Sequence, residues 1–414
     1  MTPKARPGNS GDHPDRLSTF VSLSIPNFRR YVLGAAVSNN GTWMARIAQD
    51  WLIFQLTGSG LAVGIITALQ FGPIFVLGLA GGMVADRFPQ RRILLVTQAS
   101  MLMLSASLAI LAFANTLTEM HLYALALGMG IVTAFDNPAR QSFVGVMVPP
   151  RLLPNAVALN SGNFHLARLT GPAIAGLLIA AVGAGWAFAF NAASFVAMIV
   201  AILGMNPADF QPAPRTSAGL SALRDGLAYV ITHRHILLTL VLVFFIGTFG
   251  LNFPIFLTAY TVQIFTGNSA LYGILNSVMA VGSVLGALVA ARRANVTRRR
   301  LLVLAGSFSL LLMLLSYLTN LIPFGVALVA VGLAGVSFNA TANASVQLAA
   351  APEIRGRVMS IYFMIMMGTT PLGSLIVGWI TDHWGAPAAL RTAGALSLAA
   401  VAGCAWASRR ITSP

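Results

Sequence analysis

Gly81-Gly82-Met83-Val84-Ala85-Asp86-Arg87-Phe88-Pro89-Gln90-Arg91-Arg92 is a short charged turn set between two long apolar runs, one arriving from Leu61 and one leaving at Ile93. The core of a bilayer offers the backbone no water, so only helices and closed barrels cross it. Two Gly/Ala/Leu-rich runs of this length read as transmembrane helices joined by a tight hairpin. Arg87, Arg91 and Arg92 put that hairpin on the cytoplasmic side, where basic residues accumulate.

Composition carries this reading to the whole chain. Of 414 residues, 57% are hydrophobic and 8% charged, against roughly 25% charged in soluble domains. The period-2 alternation of a membrane barrel is absent. At ~20 apolar residues per crossing, the chain holds about twelve helices. A net charge of +15 would point to nucleic acid in a soluble protein. Here all of the 25 Lys and Arg except Arg46, Arg168 and Arg391 fall in segments assigned to the cytoplasm. Topology and attraction to membrane lipid account for the charge, and no nucleic-acid partner is expected. Cys404 stands alone, so no intramolecular disulfide forms. The sequence has no Walker loop, metal-spaced Cys/His cluster or nucleophile elbow. Neither an enzyme nor a cofactor or metal is expected.

The expected plan is all-α: twelve transmembrane helices in two pseudo-symmetric six-helix bundles. Residues 1–28 read as a cytoplasmic tail and 29–204 as the first bundle. Residues 205–235 form a cytoplasmic loop, in which Leu220, Leu223, Leu227 and Val230 recur at the spacing of an amphipathic surface helix. The second bundle spans 236–408, and 409–414 is a cytoplasmic tail. The first-bundle spans run from Tyr31 to Gln55, Leu61 to Ala85, Ile93 to Ala114, His121 to Gln141, Asn155 to Val182 and Trp186 to Gly204. The halves repeat one another. Thr57-Gly58-Ser59-Gly60-Leu61-Ala62-Val63-Gly64-Ile65 matches Thr266-Gly267-Asn268-Ser269-Ala270-Leu271-Tyr272-Gly273-Ile274, and Phe135-Asp136 aligns with Phe338-Asn339. Two six-span repeats are the plan of secondary transporters.

Gly82 to Arg92 resembles the signature of the major facilitator superfamily between its second and third spans. Pro89 stands where that signature has glycine, and Gln90 where it has the first of two basic residues, which leaves Arg91 as the candidate for the conformational lock. Trp43-Met44-Ala45-Arg46-Ile47-Ala48-Gln49-Asp50-Trp51 is similar to the branch of enterobactin exporters and macrolide-efflux proteins. So are Ala134 to Phe143, Asn155 to Ser161 and Ala167 to Ala173. Gly171, Pro172 and Gly176 resemble part of the family's antiporter motif. The resemblance implies an inner-membrane exporter of small amphiphilic molecules, driven by proton entry.

The charges at bilayer depth name the candidate residues. Asn39, Thr42, Arg46, Gln49 and Asp50 share one face of the first span. Lipid would penalise Arg or Asp there by ~2.5–3.5 kcal/mol each, so this face must meet a cavity or other helices. The Arg46–Asp50 spacing allows an ion pair across one turn. Burial favours a protonated carboxyl and a neighbouring guanidinium an ionised one, so movement of Arg46 would couple proton and substrate. A static structural pair is the alternative. Arg168, with His165 one turn earlier, is a candidate for substrate contact or for pairing with Asp50 or Asp136. Asp136 and Arg140 sit at the inner end of the fourth span, where Asp136 could pair with Arg87 or Arg91 to lock the gate alongside Gly82 and Asp86. In the second half, Phe249, Asn252, Phe253, Tyr260 and Met367 are candidate pocket lining, with Pro254 as a kink. The expected protein is a monomer in the cell inner membrane, both termini cytoplasmic, with protons, lipid and a small amphiphile as partners. A lipid flippase on the same fold and a transport-inactive sensor are the competing functions.

Overall fold

The computed structural model of the protein describes residues 20–211, 220–292, 296–351 and 353–409. The tail before residue 20, much of the proline-rich linker, the middle of the Arg292–Arg300 turn and the last five residues lie outside them. Among the described residues every regular element is helical.

Six helices make the first bundle: α1 (Pro26–Thr57), α2 (Gly60–Arg87), α3 (Gln90–Phe113), α4 (Glu119–Met147), α5 (Leu153–Val182) and α6 (Ala184–Leu203). The short α7 (Leu220–Thr232) precedes the second bundle. There, α8 (Arg234–Phe245) and α9 (Phe253–Gln263) form one crossing, interrupted by a π-turn at Ile246–Gly250. Three further helices follow, α10 (Ser269–Ala291), α11 (Arg298–Leu315) and α12 (Leu321–Ala349). The last helix, α13 (Arg355–Arg409), folds back at Gly385 and crosses twice. Eight helical segments have the length and hydropathy of a span. The more polar α1, α4 and α11, with the double crossing of α13, complete twelve among the described residues.

Local chemistry explains the boundaries. Gly58, at φ +66°, ends α1 in the left-handed region open to glycine, and its N–H donates to Phe54 O at 2.7 Å. Ser59 then caps α2 through Ala62 N. The matching Asn268 caps α10 through Leu271 N, so the repeated Thr57–Ile65 and Thr266–Ile274 stretches are both helix starts. The helices outrun the apolar stretches: α1 begins at Pro26 rather than Tyr31, and α4 continues to Met147 rather than ending at Gln141. The added turn of α1 is polar, whereas the added turns of α4 bury Phe143, Val144, Val146 and Met147 in the first bundle at the hairpin end. The break in the seventh crossing precedes Pro254, which sits in the first turn of α9. α7 rests on the second bundle, with Val230 buried and the Tyr229 hydroxyl accepting from Ala351 N at 3.2 Å.

Within the halves, α2 packs on α4 and α10 packs on α12. A Cβ at Gly81 would run into the Ala134 carbonyl, and one at Gly282 into the Val329 carbonyl, so these helices touch backbone to backbone. Two helix pairs join the halves, α2 with α13 and α5 with α10. Gly64 meets Ser374, and Gly176 meets Gly273, at the end of the molecule opposite the Arg87–Arg92 hairpin. We call these the far end and the hairpin end. One large apolar cluster runs through both bundles, joining Trp51 and Ile179 to Tyr272 and Leu257. A second cluster, around Phe28, Ile93, Phe143 and Ile202, is confined to the first bundle at the hairpin end. Among the described residues the contacts that join the bundles gather toward the far end and reach as far as Phe75–Gly368 and Leu169–Ser277. Large apolar side chains such as Ile322, Val326 and Leu348 face outward around the belt, as a lipid-facing surface requires.

Candidate functional site

The polar face of α1 opens on a cavity of about 140 Å³ within the first bundle. Asn39, Arg46 and Gln49 line it from α1, and Asp136 and Arg140 from α4. Residues expected to form two separate groups therefore share one space. Gln49 is buried and accepts from Gln70 Nε2 at 2.7 Å.

Asp50 lies on the seam between the bundles. The residue is 4% exposed, and its carboxylate accepts from the Tyr272 hydroxyl of α10 at 3.3 Å. Trp51 stacks on the same Tyr272 ring at 6.0 Å. The expected Arg46–Asp50 ion pair is not formed. The Arg46 guanidinium turns between two rings, 5.2 Å from the Trp43 centroid and 4.9 Å from that of Phe71. Arg168, from α5, lies over the same Trp43 ring at 5.6 Å, so it pairs with neither Asp50 nor Asp136. Phe164 meets Trp43 edge-on, and His165 is exposed beside it. Cation–π contacts contribute about 0.5–2 kcal/mol each. One such contact offsets only part of the ~2.5–3.5 kcal/mol an arginine costs at bilayer depth, and none of these rings supplies a counter-charge. Among the described residues no carboxylate lies within ion-pairing distance of Arg46 or Arg168.

Asp136 has a different partner from the one expected. It pairs with Arg140 one turn on, and accepts from Thr97 Oγ1 at 2.6 Å and Gln98 Nε2 at 2.8 Å. A buried acid surrounded by three donors needs no partner from the hairpin. Arg91 instead donates to the Ile202 and Leu203 carbonyls at 3.3 and 3.1 Å, satisfying the C-terminus of α6. Gln90 donates to Ala85 O at 3.1 Å. Asp86 and Arg87 are exposed at the hairpin, and a side chain added at half-buried Gly82 would meet open space.

The candidate lining of the second half divides. Phe253 packs on Phe256 and Phe308, and Tyr260 stacks on Phe324 at 4.8 Å, so both belong to the bundle's interior. Asn252 is buried and donates to Thr248 O at 2.6 Å, bridging the π-turn. Phe249 and Met367 are half-buried. Gly171 meets Trp43 and the Asn40 carbonyl, and the Pro172 carbonyl meets Gly273. Gly171, Pro172 and Gly176 thus serve close packing of α5 on α1 and α10.

Two residues escaped the sequence reading. Tyr272 sits within the repeated motif, where no local pattern marks its hydroxyl as the partner of Asp50. Asp382, on α13, lies at the far end and accepts from Ser59 Oγ and Gly60 N at 2.5 Å each and from Leu61 N at 3.1 Å. It neutralises the positive end of α2 across the bundle interface. No local pattern ties an acid to a helix start more than 300 residues away.

Comparisons with known proteins agree with the fold. A family model described as transmembrane secretion effector matches residues 17–411. The chain is 25% identical to the staphyloferrin A transporter of Staphylococcus aureus, over 83% of this chain and 87% of that protein. It is 26% identical to the multidrug efflux pump Tap of Mycolicibacterium fortuitum, over 86% and 89% respectively. Among solved structures, a bacterial homologue of the human lysosomal transporter Spinster superposes with a TM-score of 0.72 at 14% identity, covering 92% of this chain and 96% of that one. Twelve crossings, two repeated bundles and a family match over nearly the full length lead to one assignment: the chain belongs to the transmembrane secretion effector family of the major facilitator superfamily.

Proposed function

We propose that this protein exports amphiphilic small molecules of the drug, macrolide or siderophore class from the cell in exchange for protons, by rocking of its two bundles. Export of small molecules is the activity of its family relatives. The coupling ion and the cargo class are the proposed parts. The bundles are taken as residues 29–204 and 236–408, acting as a monomer in the inner membrane, with both termini cytoplasmic. By the excess of basic residues at the hairpin end, that end faces the cytoplasm. The described arrangement, closed at the far end, is then open to the cytoplasm and ready to load cargo.

The observation that carries proton coupling is the Asp50–Tyr272 hydrogen bond, because it puts an ionisable group of one bundle in contact with the other. Opening the far end separates the two and exposes Asp50 to the outside, where it takes up a proton. Closing the far end returns Asp50 to Tyr272, and proton release restores its attraction to Arg46. Cargo in the first-bundle cavity and the proton on Asp50 then both act through α1, which carries the cavity's polar face and the seam contact.

In proteoliposomes with an imposed pH gradient, the wild-type protein should move a lipophilic dye, and Asp50→Asn should remove the gradient dependence while leaving passive exchange. Gradient-driven transport unchanged in Asp50→Asn would exclude Asp50 from coupling. Lipid scrambling independent of the gradient would support the flippase instead.

A further inference from the structure

We propose that Arg46 and Arg168, sharing the Trp43 indole, recognise the anionic group of the cargo, so that this transporter selects amphiphiles carrying a carboxylate or a similar oxyanion. The inference rests on the export reading above and narrows it.

Two guanidinium groups over one indole, at 5.2 and 5.6 Å from its centroid, bring like charges together in a setting of low dielectric. The nearby acids are already engaged. Asp50 accepts from Tyr272, and Asp136 is held by Arg140, Thr97 and Gln98. Resident ring contacts position the two cations without neutralising them. An incoming oxyanion would relieve the repulsion and pair with planar donors suited to bidentate contact. The walls supply the rest of the selectivity. Trp43 and Phe164 line the cavity with Met101 and Met129, offering an apolar, polarisable surface. Asn39 and Thr42 add neutral polar groups beside it. A cationic amphiphile would meet the same walls but be repelled by both arginines.

The cluster is also placed to be reached. Arg46 and Trp43 border the cavity on α1, while Arg168 and Phe164 come from α5, one of the helices that meets the second bundle. Phe164 is exposed on the hairpin side of the Ser277–Leu169 hydrogen bond that joins α10 to α5.

The test uses the full-length protein in nanodiscs of zwitterionic lipid, titrated with dansyl-glycine and with its neutral primary amide. The acid should bind on the order of tenfold more tightly than the amide, the size of a charge-assisted contact. Arg46→Gln and Arg168→Gln should each lose that preference and keep affinity for the amide, and Arg168→Lys should retain part of it. Equal affinities in the wild type, including no binding of either probe, would overturn the proposal without any variant needing to fold. A full preference surviving in both glutamine variants would overturn it as well. Preferential binding with no flux in proteoliposomes would keep the clamp and defeat the export reading. Flux without acid preference would do the reverse.

Discussion

Asp50 and Arg46 show how a side chain's partner depends on more than spacing. Four residues apart on α1, they are placed for an ion pair, yet the carboxylate faces Tyr272 of α10 and the guanidinium faces Trp43 and Phe71. Helix geometry decides which residues share a face. The neighbouring helices decide what that face meets. The Tyr272 hydroxyl is therefore the residue-scale switch contact. Tyr272→Phe keeps the ring that stacks on Trp51 and removes only the hydrogen bond. A bond to a charged group contributes about 1.5–3 kcal/mol, so the closed-to-open ratio at the far end should fall by roughly tenfold or more. Spin-label distances across the far end would read the shift, and an unchanged distribution would exclude the bond from closure. Asp136 makes the same point in reverse. Its acidity at bilayer depth was legible, but its donors Thr97 and Gln98 lie on α3, nearly forty residues away in sequence.

At the scale of elements, the repeated Thr57–Ile65 and Thr266–Ile274 stretches do two jobs each. The third residue, Ser59 or Asn268, caps a helix. Five residues later, Gly64 or Gly273 allows a cross-bundle helix to approach. Gly64 lies against the Ser374 carbonyl, and Gly273 against Pro172 and Gly176. Gly273→Val would drive two methyl groups into α5. Overpacking of this kind costs about 1–3 kcal/mol, and here it falls on the closed far end. The variant should melt at a lower temperature and lose transport, both measurable on purified protein. A wild-type melting temperature with full flux would contradict the close approach of α5 and α10. The spacing of these glycines was visible in the sequence as small-residue pairs. Which helix each one meets was not, because packing partners are chosen by the fold of the whole bundle.

For the whole molecule, the asymmetry between ends is the governing fact. Hydrogen bonds accepted by Asp382 tie α13 to the start of α2, and those donated by Ser374, Ser269 and Tyr272 add further cross-bundle links toward the far end. Asp382→Ala would leave the Gly60 and Leu61 amides without that acceptor. Loss of a capping acceptor costs about 0.5–2 kcal/mol. Hydrogen exchange at the first turn of α2 should quicken, with the rest of the first bundle unchanged. Exchange unaltered there would show that Asp382 does not hold the far end shut.

The sequence by itself determined the twelve crossings, the duplicated halves and the polar face of α1, because a bilayer punishes every polar group that lacks shelter and so writes topology into composition. It also marked Arg46, Asp50, Asp136 and Arg168 as residues that lipid would not tolerate. Only the tertiary structure decided how they are sheltered: Asp50 by Tyr272, Asp136 by Arg140 and α3, Arg46 and Arg168 by one indole. Burial at bilayer depth is a property of single residues and can be read along a chain. Partnership depends on helices distant in sequence that meet only when both bundles are assembled.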